Sequence, residues 1–154
     1  MKTPLFLRCK AIASVCLAVG CLTSGGVSTA NANLIRNGNF EDVPGTGTGY
    51  QGQGLLPNDW VAVNESADTY SFDGSYGLSP NDYGHFDEIT PAQDGNRWVA
   101  GWSAADEVFG QTLTSPLTPG QSYTLSGYLL QAISYDSPGG YDIYLSADSS
   151  YDNV

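Results

Sequence analysis

The chain has 154 residues, with five Lys or Arg against sixteen Asp or Glu, one His and three Cys, giving a formal net charge of −11. A field of that sign repels phosphate backbones and anionic lipid surfaces, which excludes nucleic acid as a partner. Its natural counterparts are cations, held either as a diffuse atmosphere or as bound Ca²⁺, which takes oxygen ligands from carboxylates, amides and carbonyls.

The first segment has the three parts of a secretion signal. Lys2, Arg8 and Lys10 form a basic region, Ala11 to Leu22 an apolar run, and small residues end in Ala30-Asn31-Ala32, so cleavage is expected after Ala32. The run is about 12 residues, short of the roughly 20 that span a bilayer, and no other segment comes near that length. The expectation is an exported product, extracellular, at the cell surface or in the periplasm, with no transmembrane segment. A second reading takes Ala18-Val19-Gly20-Cys21 as a lipobox, which would anchor a lipoprotein at Cys21. Cys9, Cys16 and Cys21 all lie in this segment, so residues 33 to 154, read as one domain, must be held without disulfides, by their core or by a metal. Cleavage would leave Arg36 and Arg97 against all sixteen carboxylates. The same acidity also serves solubility alone.

Helix signals are nearly absent beyond that point, because Gly or Pro interrupts almost every helical periodicity. Leu34 to Phe40 is the first run with strand character, although Asn37-Gly38-Asn39 within it favours a turn or bulge. Asp59 to Asn64, Arg97 to Trp102, Val108 to Leu113, Ser122 to Ala132 and Tyr141 to Ala147 follow. Between them lie Pro57-Asn58-Asp59, Asp94-Gly95-Asn96, Pro116 to Gly120 and Ser137-Pro138-Gly139-Gly140. This spacing predicts an all-β antiparallel sandwich. Residues 45 to 54, low in complexity, read as a surface loop, and residues 73 to 94 as a second, too rich in Gly, Pro and Asp for regular structure. Trp60 and Trp98 are expected in the core, and Trp102 at a strand end. The last two strands are predicted to pair through residues 133 to 140. That pairing would bring Tyr123, Leu125, Leu129, Tyr141, Ile143 and Leu145 together in the core and leave Thr124, Ser126, Tyr128, Asp142, Tyr144 and Ser146 on the opposite face.

Taken together, NLIRNGNFE at 33 to 41, Pro57-Asn58-Asp59-Trp60, DGNRWVAGW at 94 to 102, VFGQTLTSPLTPGQSYTLSGYLL at 108 to 130 and YDIYLSAD at 141 to 148 resemble bacterial galactose-binding-like jelly rolls. These are related to the cellulose- and xylan-binding modules of secreted hydrolases. The resemblance implies a jelly-roll β-sandwich in which Phe40 is core and Glu41 ligates a structural Ca²⁺, with Asp94 and Asp152 completing the set. It also implies further strands between the YDIYLSAD-like segment and a closing Asp-Asn-Val, where this sequence has only Ser149, Ser150 and Tyr151. The fold would then lack its last strands and expose an edge open to self-association.

The leading functional expectation is a non-catalytic module that binds an extracellular polysaccharide or glycan. Sugars stack on aromatic faces and bond to short polar side chains, a chemistry that Tyr128, Tyr144, Asp142, Thr124 and Ser126 would present, with Trp102, Tyr83, His85 and Phe86 nearby. Tyr128 and Tyr144 fit equally well as a cross-strand pair that stabilises the sheet. The alternative is a structural or adhesive surface or matrix protein, with calcium-dependent association and no sugar ligand. Catalysis is not expected: residues 33 to 154 hold no thiol, no G-x-S-x-G and no H-E-x-x-H, and the one histidine is His85. Carboxylate pairs are the residual enzymatic signal, with Asp87-Glu88 and Asp106-Glu107 the nearest. Asn64-Glu65-Ser66 fits a glycosylation sequon, which carries little meaning behind a bacterial signal.

Overall fold

The structure is a computed structural model, and it describes residues 4–10, 15–24, 33–45, 47–48, 55–81, 92–101, 106–131 and 140–146. No described residue is helical. The strands are β1 (Pro4–Lys10), β2 (Val15–Ser24), β3 (Gly47–Thr48), β4 (Val61–Asn64), β5 (Asp68–Ser71), β6 (Tyr76–Gly77), β7 (Arg97–Gly101), β8 (Val108–Thr112), β9 (Tyr123–Gln131) and β10 (Gly140–Leu145). Two four-stranded antiparallel sheets run β10-β1-β8-β4 and β5-β7-β2-β9, and β3 pairs in parallel with β6. The all-β expectation therefore holds.

A single core draws on both sheets. Leu5 of β1 and Phe109 of β8 meet Val99 of β7, with Leu34, Ile35, Phe40, Leu56, Trp60, Ala67 and Leu113 filling the space between. Trp60 lies at the centre, its ring 5.1 Å from that of Phe40 and 5.5 Å from that of Phe109, both tilted in the arrangement that aromatic quadrupoles favour. Trp98 is also buried and stacks on Tyr70 at 5.9 Å, on the face of its sheet opposite to Val99.

Consecutive strands are joined across the sandwich rather than within a sheet. β1 and β2, β4 and β5, β7 and β8, and β9 and β10 each belong to different sheets. Antiparallel neighbours alternate in direction, so the strand ends joined in these four pairs lie at one end of the sandwich, the arch end, while β8 and β9, also in different sheets, are joined at the other. Residues 4–10 and 15–24, which the sequence marks as a leader, occupy β1 and β2, an inner position in each sheet.

Two expectations are corrected. Leu34 to Phe40 forms bends and a turn, not a strand. Asn37 and Phe40 take φ of 46° and 63°, and Phe40 N–H closes on the Asn37 carbonyl at 3.1 Å. The reason is Asn37. Its amide donates to the carbonyls of Asp42 and Asn58 at 2.7 and 2.8 Å, its side-chain oxygen accepts from Asp42 N–H at 3.0 Å, and its carbonyl accepts from Trp60 Nε1 at 2.9 Å. Those bonds reward a folded corner more than a ladder would. Gln111 completes the corner, accepting from Arg36 N–H and donating to Arg36 C=O, both at 2.9 Å, as a strand neighbour would.

The second correction concerns β9 and β10, which do not pair with each other. β9 pairs with β2, and β10 pairs with β1. Tyr123, Leu125 and Tyr141 do pack on the core, but Leu129, Ile143 and Leu145, which share their inward faces, are 47%, 43% and 54% exposed. The inward faces of β9 and β10 are thus only partly covered at these positions.

Candidate functional site

The residues expected to form one sugar platform are divided between two surfaces. Since Leu125 faces the core, Thr124, Ser126 and Tyr128 lie on the outer face of the β9 sheet, exposed, Tyr128 at 59%. Tyr141 faces the core from β10, so Asp142 and Tyr144 lie on the outer face of the other sheet. There the Tyr144 hydroxyl donates to Asp142 Oδ2 at 2.9 Å. Ser146, beyond the strand, is buried. Tyr128 and Tyr144 are therefore neither a cross-strand pair nor a shared stacking surface. Trp102, Tyr83, His85, Phe86, Asp87 and Glu88 lie outside the described residues.

Glu41, expected as a calcium ligand, is ringed by donors. Its Oε1 accepts from the backbone N–H of Asn96 at 2.5 Å and of Arg97 at 2.8 Å, and its Oε2 meets Arg97 NH1 at 2.5 Å. The Asp94-Gly95-Asn96 turn folds so that Gly95, at φ +79°, brings these amides to the carboxylate. Arg97 is fixed in turn by Ser75, whose hydroxyl oxygen accepts from NH2 at 2.8 Å. In this arrangement the Glu41 carboxylate is held in an ion pair with Arg97. Asp94 is exposed, and Asp152 lies outside the described residues.

Other acids lie at the arch end, with Asp68 on the outer face of its sheet beside Tyr70 and Glu107 two residues from core-facing Phe109. The β4–β5 connection carries Glu65 and delivers Asp68 as the first residue of β5. The β7–β8 connection carries Asp106 and Glu107 just before β8. The two connections are tied together, because Asn64 Nδ2 donates to the Asp106 carbonyl at 2.8 Å and Asn64 is registered with Val108 past a bulge in the β4–β8 ladder. Asp68 and Glu107 are only 6% and 8% exposed. Carboxyl groups are seldom buried so deeply without a specific role. Glu65 and Asp106 take φ of 54° and 56°, left-handed conformations that non-glycine residues adopt at a cost and that cluster at functional sites. Bulge, strain and buried acids coincide here. Carboxyls withheld from water can give and take protons directly at a bound substrate. Asp106-Glu107 was visible in the sequence as an adjacent acid pair. Asp68 was missed, although Asp68-Thr69-Tyr70-Ser71 carries a short strand signal in Thr69 and Tyr70.

Comparison with known proteins bears on this arrangement. The sequence model of the HpiC1-like family, described as HpiC1 cyclase, matches residues 31–151. No curated protein and no solved structure matches the chain. A cyclase family is a family of enzymes, so the expectation of a module without chemistry is overturned by this match. Acid–base catalysis by carboxyls needs no motif of fixed spacing, and the absence of nucleophile and metalloprotease signatures did not weigh against it.

Proposed function

The chain belongs to the HpiC1-like family, and from that premise we propose that it is a cyclase, an enzyme that closes a ring within a bound substrate. The family match over residues 31–151 carries this reading. The buried Glu107 at the arch end supplies its chemistry. Its carboxyl gives a proton to an unsaturated carbon of the substrate, and a second carbon of the same molecule adds to the cation so formed, closing the ring. The carboxylate left behind takes a proton from the ring, so substrate and product have the same composition.

The jelly-roll identity of the sandwich and export belong to the same proposal, supported by the motif resemblance and the leader composition. Calcium is expected from that resemblance, but no step is routed through it. A second surface reading survives in reduced form. Tyr128, exposed beside Thr124 and Ser126, offers a stacking face to a glycan that would hold the enzyme at a cell surface or matrix.

The test offers the purified full chain a panel of linear, unsaturated, apolar substrates, with products followed by chromatography and mass spectrometry. A product of unchanged mass and altered retention is expected. Glu107→Gln should lower its rate at least about 100-fold, the usual range for a general acid or base, while circular dichroism stays that of the parent. Full turnover in that variant would remove Glu107 from the mechanism.

A further inference from the structure

An edge strand offers a row of backbone donors and acceptors to any other chain, and folded proteins blunt such edges with shortness, bulges, charges or a covering segment. Of the strands that end the two four-stranded sheets, three are blunted. β5 has four residues, and its outer flank is covered by bonds from Thr69 N–H to the Leu55 carbonyl at 3.1 Å and from Ser71 N–H to the Leu78 carbonyl at 2.9 Å. β4 also has four residues and carries the bulge between Ala62 and Asn64. β10 carries a charge at Asp142. Among the described residues, β9 has none of these guards. It runs for nine residues, YTLSGYLLQ, without a charge or a proline, in a chain whose net charge is −11. Strong strand propensity, no charge and no proline together mark a segment that adds further strands. Cleavage after Ala32 takes away β2 and leaves β9 with no ladder partner among the described residues, so its edge is open before export and after it.

We infer that β9 is a self-association strand: two copies of the chain join by antiparallel β9–β9 pairing about a two-fold axis at Gly127. A two-fold contact sets the same strand against itself, and only the register centred on Gly127 pairs all nine residues. That register places Leu129 opposite Leu125 of the second copy on the core-facing side, and Tyr128 opposite Ser126 on the outer side. Opposed pairs of this kind stabilise a ladder, and the first of them covers the Leu129 side chain that a single chain leaves 47% exposed. No charged side chain enters the new ladder, so two strongly acidic copies meet where neither carries a carboxylate.

The test sizes the chain, as exported by its host, by light scattering over a dilution series. A dimer that dissociates on dilution is expected. Leu129→Lys should be monomeric at concentrations where the parent is paired, with circular dichroism unchanged, because an inward-pointing charge is a natural guard of sheet edges. All three cysteines lie within residues 1–32, so the exported product has no thiol of its own and single-cysteine variants report on the pairing. Gly127→Cys should form a disulfide-linked dimer on mild oxidation, since directly opposed residues of an antiparallel pair have Cα atoms about 4.5 or 5.5 Å apart, within reach of a disulfide. Thr124→Cys should not, because its two copies would lie six residues apart along the ladder, roughly 20 Å. A parent that is monomeric at every concentration overturns the inference. A dimer that survives Leu129→Lys, or cross-linking as ready at 124 as at 127, also overturns it, since another surface would then join the copies. Should the lysine disturb β9 itself, the two cysteine variants still decide.

Discussion

Gly95→Ala tests the cradle around Glu41 quantitatively. A Cβ at Gly95 would fall 2.2 Å from Glu41 Oε1 and 2.6 Å from its Cδ. Gly120, at φ +78° against +79° for Gly95, has nothing within 4 Å of the same position and serves as the control. An alanine in a left-handed conformation costs about 1–2 kcal/mol, offset by about 0.4–1 kcal/mol from the stiffer unfolded chain, so Gly120→Ala should destabilise by about 1 kcal/mol. At Gly95 the carboxylate must also leave its place. Breaking its bonds to the Asn96 and Arg97 amides and straining its pair with the largely buried Arg97 guanidinium adds about 3 kcal/mol, taking the usual cost of hydrogen bonds to charged groups. The expected total is about 4 kcal/mol, read from urea unfolding of the purified chain. In a Glu41→Ala background the obstacle is gone, and Gly95→Ala should fall back to about 1 kcal/mol, a coupling well beyond the additivity error of about 0.5 kcal/mol. If Gly95→Ala and Gly120→Ala differ by less than that error in the parent, the cradle is refuted.

Two further outcomes follow from the same corner of the molecule. Gln111→Leu keeps much of the buried volume but strips both partners from the Arg36 peptide groups, and should cost about 2–4 kcal/mol in unfolding free energy; a loss below about 1 kcal/mol would show that water replaces the amide. Asp73 has its pKa lowered from 3.8 to about 2, chiefly by the Ser75 hydroxyl, then by the Ser75 N–H at 2.9 Å and by Asn96. Because the folded value lies below the unfolded one, its contribution is complete above pH 3.8 and is lost as the pH falls towards 2. Carboxyl NMR titration should place its inflection near the lower value, and Ser75→Ala should move it up; an unmoved inflection would assign the shift to other groups.

The sequence revealed the later strands well and their partners poorly. β7 to β10 begin and end within two residues of the expected runs, because alternation and the flanking turn residues are local signals. The Asp94-Gly95-Asn96 turn was legible for the same reason, since its glycine adopts a conformation that other residues resist. Partner choice is not local. Nothing in the alternation of Tyr123 to Gln131 says that it bonds to β2 and not to β10, and that single error created the supposed tyrosine platform. Leu34 to Phe40 carried strand propensity, but Asn37 overrode it through bonds to residues as far away as Asn58 and Trp60. At the arch end, Asp106 and Glu107 could be picked out as neighbours, whereas only the strand order places Asp68 at the same end.

The order of strands also sets how the chain must fold. In neither four-stranded sheet do consecutive strands pair, so no simple hairpin is available as an early, inexpensive nucleus. Each ladder closes a long loop before its contacts can reward it, which places such chains among the slow folders, in the millisecond-to-second range. The β1–β10 ladder joins the two extremes of the described chain. Synthesis from the N-terminus therefore leaves β1 and β2 exposed, with their last partners still to be made, until β10 has emerged.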